Sequence, residues 1–220
     1  MNKKILKAGI LSLLLVVPVL FIVFLNSGKN QYKVARFADE QGNPLEYLMD
    51  ETGKPHVLPP FAFTDQNGKP FTNADTKGKI VIADYVFTRC QTICPKMSTQ
   101  LERVQQAFES EPMVVLLSHT VDPEFDTVSV LKNYANLHGA IDGKWFFLTG
   151  KKEDLYKQAS EGYKIVAKEE ASGPDAFVHS DRVVLLDTQG RIRGYYNGTE
   201  TAMIDTLILE TKILLSELKK

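Results

Sequence analysis

The chain has 220 residues, with 26 lysines and arginines against 27 aspartates and glutamates, a formal net charge of −1. No lysine or arginine cluster stands out, which speaks against a nucleic-acid-binding role, and no repeat or low-complexity tract interrupts it. Two cysteines are too few for a small disulfide-stapled scaffold.

In chain order, Lys3, Lys4 and Lys7 precede Ala8–Leu25, 18 residues without a charge. That length approaches what a helix needs to cross a bilayer, and Pro18 would kink it without preventing a span. A cleaved signal peptide is the competing reading, but "FLNSGKNQ" offers only a poor cleavage site and no cysteine for a lipid. The expectation is an uncleaved single-pass anchor over residues 1–28 in the inner (cytoplasmic) membrane. The lysines would stay in the cytoplasm, and the rest of the chain would lie on the periplasmic or outer side. Removing those three lysines from the 26 basic residues leaves 23 against 27 acidic. Residues 29–57 read as a linker and N-terminal extension, and 58–220 as one domain large enough for a core.

Within that domain, "FAFTDQNGKPF" (61–71) predicts a hairpin turning at Asn67-Gly68. "KIVIADYVF" (79–87) and "MVVLLSHTV" (113–121) read as strands buried on both faces. A helix from Pro95 onward carries Met97, Leu101, Val104 and Phe108 on one stripe. Residues 126–137 open with an acidic cap and read as a helix, 145–150 as a strand and 152–163 as a helix. Residues 182–198 form a second hairpin about Thr188–Gly190. A closing helix, 201–218, turns Ile204, Leu207, Ile208, Leu215 and Leu218 inward. This order predicts an α/β three-layer sandwich of thioredoxin-like type, with an N-terminal hairpin addition and an N-terminal transmembrane helix.

Both cysteines lie in "RCQTICPKM" (89–97). Closing so short a loop constrains the unfolded chain little, so a purely structural disulfide is a weak explanation. Pro95 suits the first helical position, which makes Cys94 the expected N-cap. Both thiols would then sit at the positive end of a helix, where a thiol ionises more readily. Arg89 would help if it points inward. The spacing permits a redox couple and equally a metal clamp. Two thiolates select a soft ion such as Cu(I), and an imidazole would complete a three-coordinate site. The histidines are at 56, 119, 138 and 179. His179 precedes the second hairpin, in a loop beginning at Gly173-Pro174 that would lie beside the first helix in a thioredoxin-like sheet. The alternative for it is a strand cap. His119 could support the site from the strand end, or simply be a buried strand terminus. His138 would serve a helix C-terminus, and His56 lies in the approach to the first hairpin. Asp122 could line the same end or cap a turn.

The blocks "TDQNGKPFTNADTKGKIVIADYVFTRCQTICPKM", "VDPEFDTVSVLKNYA", "WFFLTG" and "FVHSDRVVLLDTQGRIRGYYNG" together resemble the Sco/SenC family over roughly residues 58–216. The resemblance implies a membrane-tethered thioredoxin-like domain that binds copper, as Cu(I) or Cu(II), and helps assemble the dinuclear copper centre of cytochrome c oxidase. It implies Cys90, Cys94 and His179 as copper ligands. The implied partners are the copper-bearing oxidase subunit and a further copper donor. Some members are proposed to reduce the oxidase's cysteines, which would use the same Cys90 and Cys94. Three positions depart from the family pattern: Arg89 stands where histidine is frequent, Gln91 where proline is, and Val178 where an acid is. The last leaves His179 without its usual carboxylate neighbour, and Asp181 or Asp175 would have to substitute. Against copper delivery stand a thiol–disulfide oxidoreductase and an anchored module with an inert disulfide. A peroxidase fits less well, because Thr88 is one residue too near the first cysteine.

Overall fold

The structure, a computed structural model, describes residues 14–20, 34, 36–39, 41–165 and 181–218. The chain divides into two compact units, Met1–Tyr32 and Lys33–Lys220. In the first, residues 14–20 are helical and exposed. No helix among the described residues is long and apolar enough to cross a membrane. Most of the expected span at 8–25 lies outside the described residues.

The second unit is built on a seven-stranded sheet of order β4-β3-β7-β6-β5-β8-β9. Its strands are β3 (Ala62–Asp65), β4 (Pro70–Thr72), β5 (Ile80–Val86), β6 (Val114–Thr120), β7 (Trp145–Thr149), β8 (Arg182–Leu186) and β9 (Ile192–Asn197). A separate two-stranded ribbon pairs β1 (Phe37–Ala38) with β2 (Pro44–Leu45). The central strands β5, β6 and β7 are parallel, and β8 runs antiparallel to β5. The helices are α1 (Asn73–Thr76), α2 (Ile93–Ala107), α3 (Val128–Leu137), α4 (Lys152–Lys157) and α5 (Thr201–Leu218). The expected helix over 152–163 changes winding midway, becoming a π-turn at Gln158–Gly162.

Alternation along the strands sorts side chains to two faces. Ile80, Ile82 and Val86 of β5 join Val114 and Leu116 of β6 under α2, α3 and α5. Val81, Ala83 and Tyr85 join Val115 and Leu117 on the other face, with Phe61, Phe63, Leu155 and Tyr163. The predicted stripe of α2 is buried at all four positions, whereas Leu218 at the end of α5 is exposed. These two cores make the three-layer arrangement that the element order predicts.

One turn recurs four times, as "DEQGN", "DETGK", "DQNGK" and "DTQGR". In each, an aspartate carboxylate (Asp39, Asp50, Asp65, Asp187) accepts the backbone N–H groups two and four residues on. The fourth residue is a glycine with φ between 73° and 83°, a region where a side chain would be strained. The predicted turns at Asn67-Gly68 and Thr188–Gly190 are two of the four. The other two shape the N-terminal extension, where Val57 bridges to Arg191.

Candidate metal centre

β5 ends at Val86, and the chain crosses residues 87–92 before α2 begins at Ile93. The N-cap is Thr92, without a side-chain capping bond. The expectation that Cys94 caps the helix is therefore corrected by two residues. Cys94 lies inside the first turn and Pro95 follows it there. Proline is tolerated in this turn because the first N–H groups of a helix have no intrahelical acceptor.

Both thiols are free; Cys90 is partly exposed and Cys94 buried. Burial alone would push the Cys90 thiol up, but the backbone N–H groups of Cys94 and Thr92 and the Thr92 hydroxyl outweigh it, lowering the thiol to about 7. The Cys90 Sγ to Thr92 Oγ1 distance is 3.5 Å. Cys94 goes the other way: burial, with the charges of Cys90 and Asp84, pushes it up to about 12 against the Phe87 backbone N–H. Near neutral pH the outer sulfur is substantially thiolate and the inner one a thiol. A thiolate-seeking ion would have to displace the proton of Cys94.

A set of polar groups surrounds the pair that the sequence reading did not single out. Asp84, mid-strand in β5, is buried; desolvation raises its carboxyl to about 7, against a hydrogen bond from Ser118. Ser118 Oγ donates to it at 2.5 Å and accepts the Trp145 indole N–H at 2.9 Å. Tyr134 of α3 meets Ser98 of α2 at 2.9 Å, and burial holds its phenol well above the usual range. A lone aspartate inside an otherwise apolar strand was the signal for this cluster.

The cysteine loop hangs from the turn between β6 and α3. Thr88 Oγ1 donates to Asp126 in a short hydrogen bond, and Thr120 Oγ1 donates to the same carboxylate at 2.5 Å. Burial raises the Asp126 carboxyl, while these hydroxyls counteract it. Asp126 was expected to cap α3; Thr127 is the cap, and Asp126 turns inward instead. Arg89 is half-exposed and pairs with Asp122 at 2.6 Å, its guanidinium 4.0 Å from the Phe125 ring centroid. Asp122 thus serves Arg89 rather than only capping its turn.

The histidines separate clearly. His119 lies on the face opposite Cys94, stacked on Tyr85 and packed against the edges of Phe61 and Phe63 and the tilted ring of Tyr163. Of its two readings the buried strand terminus holds and support for the cysteine site does not: strand alternation turns position 119 away from the face used by Ser118. Its Nε2 meets the Tyr163 hydroxyl at 2.8 Å, its Nδ1 has no partner among the described residues, and burial lowers the imidazole to about 3. His138 follows α3 as expected and meets Glu102 at 2.7 Å. His56 donates to the Gly162 carbonyl at 2.7 Å. His179 and Asp175 lie outside the described residues. Asp181 is occupied locally: its carboxylate accepts from Asn197 Nδ2 at 2.7 Å and its carbonyl from the Gly198 N–H. Among the described residues, no three His, Cys, Asp or Glu side chains converge as a metal site.

The SCO1/SenC family model matches residues 49–213, three quarters of the chain, from the end of the extension through the seven-stranded sheet and into α5. The chain belongs to the SCO1/SenC family. It is similar to the SCO1 protein homolog of Bacillus subtilis (strain 168), at 32% identity over 77% of this chain and 84% of that protein. Two solved structures share the fold. One is BsSco, described as having a disulfide switch and as a member of the Sco family of cytochrome c oxidase assembly proteins. It matches at 31% identity and a TM-score of 0.63, over 73% of this chain and 94% of that one. The other is Bradyrhizobium japonicum ScoI with copper bound, at 26% identity and a TM-score of 0.59, over 72% and 99%. The SCO1/SenC match agrees with the thioredoxin-like reading of the sheet, with the cysteine pair at the C-terminal end of β5.

Proposed function

We propose that this chain is a membrane-anchored copper metallochaperone that holds copper through Cys90, Cys94 and His179 and helps assemble the dinuclear copper centre of cytochrome c oxidase. The observation that carries the reading is the pair itself: two free thiols at the start of α2, in a family whose solved members include a copper-bound protein. Thiolates select soft ions, and imidazole is a harder donor that would favour Cu(II) relative to a purely sulfur site. Supporting His179 as the third ligand, β8 pairs Val184 with Ala83 antiparallel. The start of β8, and Asp181 just before it, therefore face the cysteine end of β5. Copper would be cargo, exchanged with donors and with the thiols of the oxidase subunit. The N-terminal segment would hold the domain at the outer side of the cytoplasmic membrane.

Anaerobic titration of the reduced chain with Cu(I) tests this. One copper per chain is expected, lost in the Cys90→Ser, Cys94→Ser double variant. His179→Ala should weaken Cu(II) more than Cu(I). Unchanged copper retention in the double variant would refute the proposal.

The split between the two thiols favours a second reading, thiol–disulfide exchange. The Cys90 thiolate would attack a partner disulfide and release one partner thiolate. Cys94, on losing its proton, would then displace the other, leaving a Cys90–Cys94 disulfide and a reduced partner. Fast reduction of a model disulfide by the metal-free chain, unaffected by His179→Ala, would favour this reading over delivery.

A further inference from the structure

We propose that Asp126 is the positioning residue of the cysteine loop: by holding Thr88, it fixes where the Cys90 sulfur stands relative to Cys94. The inference rests on the reading above that Cys90 is a working thiol.

Asp126 is fully buried, and among the described residues no cation is one of its partners. Such a carboxylate is costly unless several donors satisfy it. As a helix cap it is redundant, because Thr127 accepts from Val130 N–H in that role. Its donors come from two other segments. Thr120 ends β6, so that side is anchored to the sheet, and Thr120 Oγ1 also accepts the Asp122 N–H. The other side is Thr88, through its hydroxyl and, at 3.5 Å, its amide.

Thr88 is two residues from Cys90, inside the turn closed by Cys90 N–H donating to the Phe87 carbonyl. A shift of Thr88 therefore displaces Cys90. The turn bearing Asp126 is itself fastened to the end of β5 by Val121 N–H on the Val86 carbonyl. The sheet thus reaches the outer, partly exposed member of the pair through one buried carboxylate. The neighbouring Arg89–Asp122 tie is half-exposed at the arginine, and exposed ion pairs hold geometry weakly. The Asp126 tie is buried and made through two hydroxyl donors, and buried interactions are screened much less than exposed ones, so this tie is the one that sets the loop.

The equilibrium of the metal-free full chain with reduced and oxidised glutathione reads the geometry directly. Closing the Cys90–Cys94 disulfide transfers two electrons to oxidised glutathione and releases two reduced glutathiones, and its extent follows the effective concentration of one sulfur at the other. Asp126→Ala and Thr88→Val should each lower that equilibrium constant about tenfold, and together no further, since both cut one tie. Asp126→Asn should recover part of it through its remaining carbonyl. Thr211→Val, which removes a buried hydroxyl bond within α5, should lower urea stability and leave the constant unchanged. If Asp126→Ala does not fold, Thr88→Val decides alone. A constant within twofold of the parent in a folded Asp126→Ala or Thr88→Val variant, or additive losses in the double variant, overturns the proposal. Cu(I) binding by the parent chain is measured in parallel: its absence, with the glutathione shift present, would remove the copper reading and leave the positioning role standing.

Discussion

Asp84 and His119 lie on adjacent strands, one register step apart, with Asp84 opposite Ser118 and Tyr85 opposite His119. Both are buried and both are displaced from their ordinary ionisation, yet they face opposite sides of the sheet. Asp84 shares its face with Cys94 and Tyr134, and its charge reaches both. His119 meets aromatic rings and the Tyr163 phenol on the other face. The same cause, desolvation, therefore has different consequences. On one face it tunes a reactive pair, and on the other it only stores an opposing dependence on pH.

The largest effect that tests this contrast is thiol reactivity. Iodoacetamide labelling followed by mass spectrometry should show Cys90 reacting with a midpoint near pH 7. At pH 7.5 Cys94 should lag by more than a hundredfold, in keeping with values of about 7 and about 12. Asp84→Asn should speed Cys94, while His119→Phe should not. Equal acceleration in both variants would erase the distinction between the faces.

Next come opposed stability profiles. Asp84 is raised from 3.8 to about 7, so the folded state holds its proton where the unfolded state has lost it. Its contribution is present at low pH and is lost as pH rises from about 4 to 7. His119 is lowered from 6.5 to about 3, so its contribution is present above pH 6.5 and is lost as pH falls towards 3. Each shift exceeds three units, on the order of 4 kcal/mol, and the two cancel over much of the range. Urea midpoints should rise between pH 4 and 6.5 in Asp84→Asn and fall between pH 4 and 7 in His119→Phe. Parallel profiles in the two variants would contradict the assignment.

The smallest effect concerns the repeated turn. Asp65 is buried, and Asp65→Ala strands two N–H groups in the main sheet's edge hairpin, costing about 1–2 kcal/mol. The same change at Asp50, which is more open to solvent, should cost clearly less. Denaturation of the two variants compares them, and a loss at Asp50 as large as that at Asp65 would show that burial is not what separates them.

Much of the frame was legible because it depends on local pattern. The apolar runs at 79–87 and 113–121, the stripe through Met97 and Val104, and two of the four turns follow from spacing alone. The site was legible only in part. Cys90 and Cys94 are neighbours in sequence, so their meeting needed no tertiary information. The ties to Thr88 and Arg89 span more than thirty residues, and neither residue type announces a partner. Asp126 looked like a cap because acidic residues favour helix starts, but Thr127 beside it does that job. The apolar reading of 79–87 passed over Asp84, whose meaning depends on which face it takes and on Ser118 opposite. For His119 the two readings, support for the site or buried strand terminus, stayed open for the same reason: strand ends can be placed from sequence, but the facing of a given residue follows only when the register is known, and here it selects the second.

Cys94 is wound into the helix while Cys90 stands in the loop before it, which makes the pair directional. A molecule arriving from solvent touches the outer sulfur first and engages the inner one only after the outer has yielded. Any exchange at this pair would therefore begin at the outer sulfur, an order written into the point where a strand gives way to a helix.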